Sequence, residues 1–390
     1  MPIDEQQQED EEVNVTALLS ELRKVDRKKR KREKREKQRE KREQREVSPY
    51  KTGDQVNLRD LLCNETRNYL INNNGYKINV GNLEDKVVAL YLYEEGCSDE
   101  FTETLKIAYE QLVRVENRMF EVVLVYMYNS WNTHNRTNEE TFSKTFSTMP
   151  WLALPFKDIN SAKLPTLFRY PFELDEWHPD HSLVVIGPRG EFVEPFGAAT
   201  ILKNFGIQAY PFTRQISYKL QAERVKAMKL EMLWSPKTVF MGKRVSQEVP
   251  VEFSEIVGKR IMVFCDCNFN KFYSKFKMKL LQRYMETKGT DDEFEVIHIG
   301  VRDGEDVPWL RPPTHFGPSI AVEALSRILR NGYGILAFDR DGKVIRATSN
   351  PRFQTEDCYF PFYAGSIEEE VRIDLINRFK WNDGDRTFLN

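Results

Sequence analysis

Cysteine is scarce in this chain. There are five in 390 residues, at Cys63, Cys97, Cys265, Cys267 and Cys358, and no two of them stand in a C-x-x-C spacing. An odd, low count is not a disulfide framework and fits a reducing compartment with free thiols. Cys265 and Cys267 form a C-x-C at the end of an apolar run. If extended, their Cα atoms lie about 6.5–7 Å apart, at the edge of disulfide geometry. No histidine lies near enough in sequence to complete a metal site there, so no metal is expected. No apolar run approaches membrane-spanning length, and the first residues carry no apolar signal core. The P-loop, G-x-G-x-x-G, G-x-S-x-G and H-E-x-x-H patterns are all missing, and no cofactor is expected. These absences predict a protein of the cytoplasm or nucleus with no membrane partner.

Charge is present in quantity but unevenly. The formal total is −2, yet residues 23–46 hold 15 Lys+Arg against 6 Asp+Glu, a local +9, which leaves the rest at −11. This arm is rich in helix formers, and pairs such as Glu33–Lys37 and Arg39–Glu43 fall at i,i+4. It has no a/d apolar seam for a coiled coil. It also has no aromatic residues between its charges, so it lacks the stacking platform of a single-strand binder. The cluster Lys28, Lys29, Arg30, Lys31 and Arg32 has the composition of a nuclear import signal, and any nucleic-acid contact is expected only through this arm.

After the arm, one pattern occurs twice. "EDKVVALYLY" (84–93) returns as "VGKRIMVFCD" (257–266), and "FEVVLV" (120–125) as "FEVIHI" (294–299). "MPWLALP" (149–155) returns as "VPWLRPP" (307–313), "LVVIGPRGEF" (183–192) as "ILAFDRDGKV" (335–344), and "YPF" (210–212) as "FPF" (360–362). Five matches in one order indicate a tandem duplication with a shortened second copy. Each copy reads as strand, helix, strand, helix and hairpin, an α/β layered fold with a central mixed sheet flanked by helices. Helices are expected over Phe101–Val115 and, joining the copies, over Gln221–Leu233. The expected organisation is a charged arm and linker (1–53), a first domain (54–220), a linking segment (221–245) and a shortened second domain (246–390).

The stretches "NNGYKINVGNLEDKVVALYLY", "MPWLALPF" and "AYPFT" resemble the thioredoxin-like domains of plant nucleoredoxins and, more distantly, the modules of sieve element occlusion proteins. The resemblance is good over about residues 58–213 and weak over 246–379. It implies tandem thioredoxin-like domains and, in active members, protein-disulfide reductase chemistry. That chemistry uses W-C-x-x-C where a strand meets a helix. The first thiolate attacks a disulfide and the second resolves the mixed disulfide. A cis-proline faces the pair. Aligned on Phe101, the two cysteine positions fall on Glu95 and Ser98, with Cys97 as a spacer. Aligned on Phe272, they fall on Asp266 and Phe269, with Cys267 as a spacer. The proline positions fall on His181 and Tyr333.

The redox-degenerate reading therefore leads: a protein-binding or scaffold module with protein partners. Two alternatives stay open. One is a protein-disulfide reductase or monothiol regulator acting through Cys97, although Glu94, Glu95, Asp99 and Glu100 would disfavour its thiolate. The other is a structural protein like those of sieve element occlusion. His178 and His181, with Asp175, Glu176 and Asp180 nearby, read as a polar surface loop rather than an acid–base or metal site.

Overall fold

The computed structural model describes residues 50–94, 99–127, 138–168, 183–195, 197–244, 247–265, 272–299, 307–313, 325, 334–348 and 366–379. Its first sheet holds β1 (Tyr69–Ile71), β2 (Lys77–Asn79), β3 (Val87–Glu94), β4 (Phe120–Met127), β5 (Leu152–Ala153), β6 (Leu183–Ile186) and β7 (Val193–Glu194). The strand order is β2-β1-β5-β4-β3-β6-β7. β3 runs parallel to β4, with Val87 opposite Phe120 and Glu94 opposite Met127, and antiparallel to β6.

β3 and β4 are near-continuous apolar runs because helices cover both faces of the sheet. Alternation along β3 sends Val87, Ala89, Tyr91 and Tyr93 to one core and Val88, Leu90 and Leu92 to the other. Each fully buried aliphatic side chain contributes about 1.5–3 kcal/mol. α1 (Leu58–Leu62) and α4 (Ile159–Leu167) close the second face. The first is covered by α2 (Asp99–Glu110), α3 (Glu139–Ser147), α5 (Ala198–Phe205) and α6 (Arg214–Lys226). The expected helix over 101–115 is present, its last turn Gln111–Val115 being π-helical. Asn138 caps α3 by accepting from Thr141 N (2.8 Å). Asp158, at the head of α4, accepts from Asn160 N (2.9 Å) and from both Nε (2.5 Å) and Nη2 (3.1 Å) of Arg67. That ion pair is buried and ties β1 to α4.

The second set of strands begins with the hairpin β8 (Val239–Arg244) and β9 (Gln247–Glu252). After the short α7 (Phe253–Ile256) come β10 (Arg260–Cys265), α8 (Phe272–Thr287), β11 (Phe294–Ile299), β12 (Gly334–Phe338), β13 (Val344–Thr348) and α9 (Ile367–Phe379). The sheet order is β11-β10-β12-β13, with β10 parallel to β11 and antiparallel to β12. The registers repeat those of the first sheet: Arg260 stands opposite Phe294 as Val87 stands opposite Phe120.

Leu310 bridges Ile297 in parallel, as Leu152 pairs with Val123. Arg311 bridges Met241 antiparallel, as Ala153 pairs with Ile71. Through these two bridges the hairpin β8–β9 occupies, in the second sheet, the place of β1–β2 in the first. The duplication in the sequence is thus a duplication of topology. β8 lies inside the 221–245 stretch read from sequence as a linking segment.

The helix expected over Gln221–Leu233 instead spans Arg214–Lys226, followed by a 3-10 turn at Leu230–Met232. It starts earlier because Arg214 is anchored there. Its backbone N–H donates to Glu194 Oε2 (3.2 Å) and its Nε to Glu194 Oε1 (3.0 Å), both groups being buried. Beyond it, Leu230, Leu233 and Trp234 turn into the core shared with the second sheet.

Residues 50–56 lie against the β6–β7 hairpin. Tyr50 packs on Phe168 with ring centroids 5.6 Å apart, and Thr52 Oγ1 donates to Glu194 (3.0 Å). Gly53 N–H donates to the Val193 carbonyl and Val56 N–H to that of Gly190, both at 2.9 Å. Gly190 has φ +71°, and a Cβ there would sit 1.7 Å from the Val56 carbonyl oxygen, so this turn needs glycine.

Candidate functional site

In each unit the candidate site is the junction where the central parallel strand hands over to its helix. In the first, β3 ends at Glu94 and α2 begins at Asp99. Glu95, Cys97 and Ser98 lie outside the described residues. Beneath the junction lies an aromatic floor. Tyr91 shares a 2.7 Å hydrogen bond with Thr102 in the first turn of α2, and its ring meets Phe101 (5.8 Å) and Trp151 (6.1 Å) edge-on. Tyr93 stacks on Tyr126 (5.6 Å), and Tyr126 meets Phe142 edge-to-face (5.3 Å). Residues 94–103 hold five acidic side chains and no basic one. A thiolate at the head of α2 would meet this negative charge, which offsets what the helix dipole offers.

In the second unit β10 ends at Cys265, which is buried between Ile299 and Gly334 on its neighbouring strands. The structure thus places this thiol inside the sheet. Asp266, Cys267 and Phe269 lie outside the described residues, as do His181, Tyr333 and the cluster Lys28, Lys29, Arg30, Lys31 and Arg32. Cys63 is half-buried, and burial pushes its thiol pKa up. Among the described residues no group of three or more His, Cys, Asp or Glu side chains could hold a metal ion. No described helix is long and apolar enough to cross a membrane.

One feature under the second junction had no sequence signal beyond a histidine in an apolar run. Phe264 takes the place of Tyr91, and Trp309 that of Trp151, with an edge-on contact of 6.3 Å against 6.1 Å. His298 takes the place of Leu124. It is 1% exposed, stacks on Phe264 at 5.0 Å and meets Trp309 edge-on at 5.3 Å. Among the described residues neither ring nitrogen has a hydrogen-bond partner. Burial, with a smaller contribution from Lys277, pushes its pKa down to about 3. The imidazole is neutral and serves as packing.

The motifs that carry the family resemblance also pack. Trp151 is 1% exposed. In "AYPFT", Tyr210 and Phe212 flank Phe120 at 5.9 and 6.1 Å, and Arg118 lies over the Tyr210 ring. The Tyr210–Pro211 bond is cis. This cluster sits at the start of β4, the opposite end of the sheet from the junction.

A central strand with one parallel and one antiparallel neighbour, closed by a hairpin and covered by helices on both faces, defines the thioredoxin-like fold, here with its strand plan used twice. Within that class the chain is nucleoredoxin-like. It is 29% identical over 320 residues to the probable nucleoredoxin 2 of Oryza sativa subsp. japonica, covering 78% of this chain and 75% of that protein. It is 28% identical to the probable nucleoredoxin 1 of Arabidopsis thaliana, over 69% of this chain but 46% of that protein, so it spans about half the length of the latter. The Xenopus laevis nucleoredoxin is 27% identical over 37% of this chain and 31% of its own length. Among solved structures, native tryparedoxin I from Crithidia fasciculata is 25% identical, over 40% of this chain and 97% of its own, at a TM-score of 0.31. Tryparedoxin from Trypanosoma brucei is 27% identical, over 38% and 92%, at a TM-score of 0.30. No family model matches the chain.

Proposed function

We propose that this nucleoredoxin-like chain is a protein-binding or scaffold module whose two thioredoxin-like units have lost dithiol chemistry. The observation that carries this reading is that no C-x-x-C occurs anywhere in the chain. A dithiol exchange cycle needs a second thiol to resolve the mixed disulfide, and neither junction supplies one at the proper spacing. The burial of Cys265 at the end of β10 supports the same reading. The stretch at the first junction is acidic in sequence, which disfavours a thiolate there, and the rings beneath it are buried as packing. The basic arm supports distribution between cytoplasm and nucleus.

One alternative rests on a specific observation: Cys97 lies two residues before α2, where a lone thiol can form a mixed disulfide. Insulin-disulfide reduction with dithiothreitol, and with a thioredoxin-reductase system, separates the two readings. The expected result is no turnover above background by the wild type. Turnover that disappears in Cys97→Ser would replace the scaffold with a one-thiol oxidoreductase.

A further inference from the structure

The offset that relates Leu183 in β6 to Ile335 in β12 also relates Glu194 in β7 to Arg346 in β13. Both residues are buried on the outer strand of their hairpin. Both pair with the helix that follows the "YPF" or "FPF" block, Glu194 with Arg214 of α6 and Arg346 with Glu370 of α9. The two bridges therefore join the same strand position to the first turn of the following helix, Arg214 opening α6 and Glu370 standing fourth in α9, but their polarity is reversed. The first unit has its anion on the strand and its cation on the helix, and the second has the opposite.

We propose that this reversal is an address code, which assigns each of these helices to its own hairpin and excludes exchange of α6 and α9. A duplicated chain needs such a device, because its two hairpins repeat one strand plan and pair in the same register, Val185 with Glu194 and Ala337 with Arg346. The wrong partner is also within reach: α6 packs against α9 and touches β13. Placing α6 on β13 would bring the Arg214 turn to Arg346, and placing α9 on β7 would bring the Glu370 turn to Glu194, like charge to like charge. Side-chain exposures are 2% and 0% for Arg214 and Glu194, and 5% and 12% for Arg346 and Glu370, so water would not screen either clash. The matched pairs need add little net stability. Their effect lies in the penalty on the mismatch.

The test uses the full chain. Glu194→Arg with Arg214→Glu keeps a pair in the first unit but gives both units the same polarity. After refolding from denaturant at low and high protein concentration, size-exclusion chromatography with light scattering reads the species formed. The expected result is a several-fold rise in the higher-order fraction over the wild type, growing with concentration. If the site around Glu194 rejects arginine, Arg346→Glu with Glu370→Arg matches the units in the opposite sense and reads the same way. Combining all four substitutions restores opposite polarities and is expected to restore the wild-type distribution. A matched variant that refolds like the wild type overturns the proposal. So does a four-fold variant that behaves like the matched ones or fails to fold.

Discussion

Replacing His298 with leucine, the residue at the same place in the first unit, is expected to make the second unit more stable and less sensitive to acid. In the folded chain the imidazole pKa is held near 3, against an ordinary 6.5, because the ring is buried, and among the described residues neither nitrogen has a partner. The unfolded chain takes up a proton near pH 6.5 and the folded chain does not. Stability therefore stands at its full value above pH 6.5 and falls as pH drops from there towards 3. The slope is about 1.4 kcal/mol per pH unit, and the total loss is at most about 5 kcal/mol. Such a loss rivals the whole stability of a small domain. At neutral pH, removing two unsatisfied buried nitrogens is expected to add about 1–3 kcal/mol. Urea unfolding between pH 7.5 and 4.5, read by hydrogen exchange of β10 and β11 amides, compares wild type with His298→Leu, so that the other titrating groups cancel. The variant's curve is expected to rise above the wild type at pH 7.5 and to diverge further as pH falls. Parallel curves through pH 6 would mean that the imidazole titrates normally in the folded chain and would refute the reasoning.

Two further outcomes are expected. Gly190→Ala is expected to cost about 2–4 kcal/mol in urea unfolding, because its Cβ would collide with the Val56 carbonyl at a left-handed φ; a loss below about 0.5 kcal/mol would show that the turn can relax. Deleting residues 23–46 is expected to leave the melting temperature unchanged, since that stretch holds a single apolar residue, Val25, and so has little to bury; a large drop would show that the arm packs on the body.

The core of the fold was legible where burial leaves a compositional mark. β3 and β4 announce themselves as apolar runs, and the five matched blocks give the repeat. The repeat was even more complete than the blocks indicate, because the hairpins β1–β2 and β8–β9 carry no such mark: β2 is largely exposed, and β8–β9 pairs through Lys243, Glu248 and other polar residues. The start of α6 was invisible for another reason. Its anchor, Glu194, lies 20 residues away in sequence, and only tertiary folding brings it there. The same holds for Arg67 with Asp158 and for Arg346 with Glu370. The candidate site was legible only as sequence: cysteine positions occupied by Glu95, Ser98, Asp266 and Phe269, and an acidic stretch beside Cys97. The orphaned His298 could be found only by setting the two copies side by side in space.

The stretch from Tyr50 to Val56 has a further consequence. β7 is a rim strand of the first sheet, and a rim with free carbonyls is a template for any other strand, above all in a chain that carries a second sheet of the same plan. Gly53 occupies the Val193 carbonyl from the open side, and Val56 occupies that of Gly190. The opposite rim, β2, is three residues long and ends in solvent with Lys77 held over Tyr69. One rim is thus covered by the chain's own backbone and the other is short and charged. Two sheets of one design can then share a polypeptide without zipping together edge to edge.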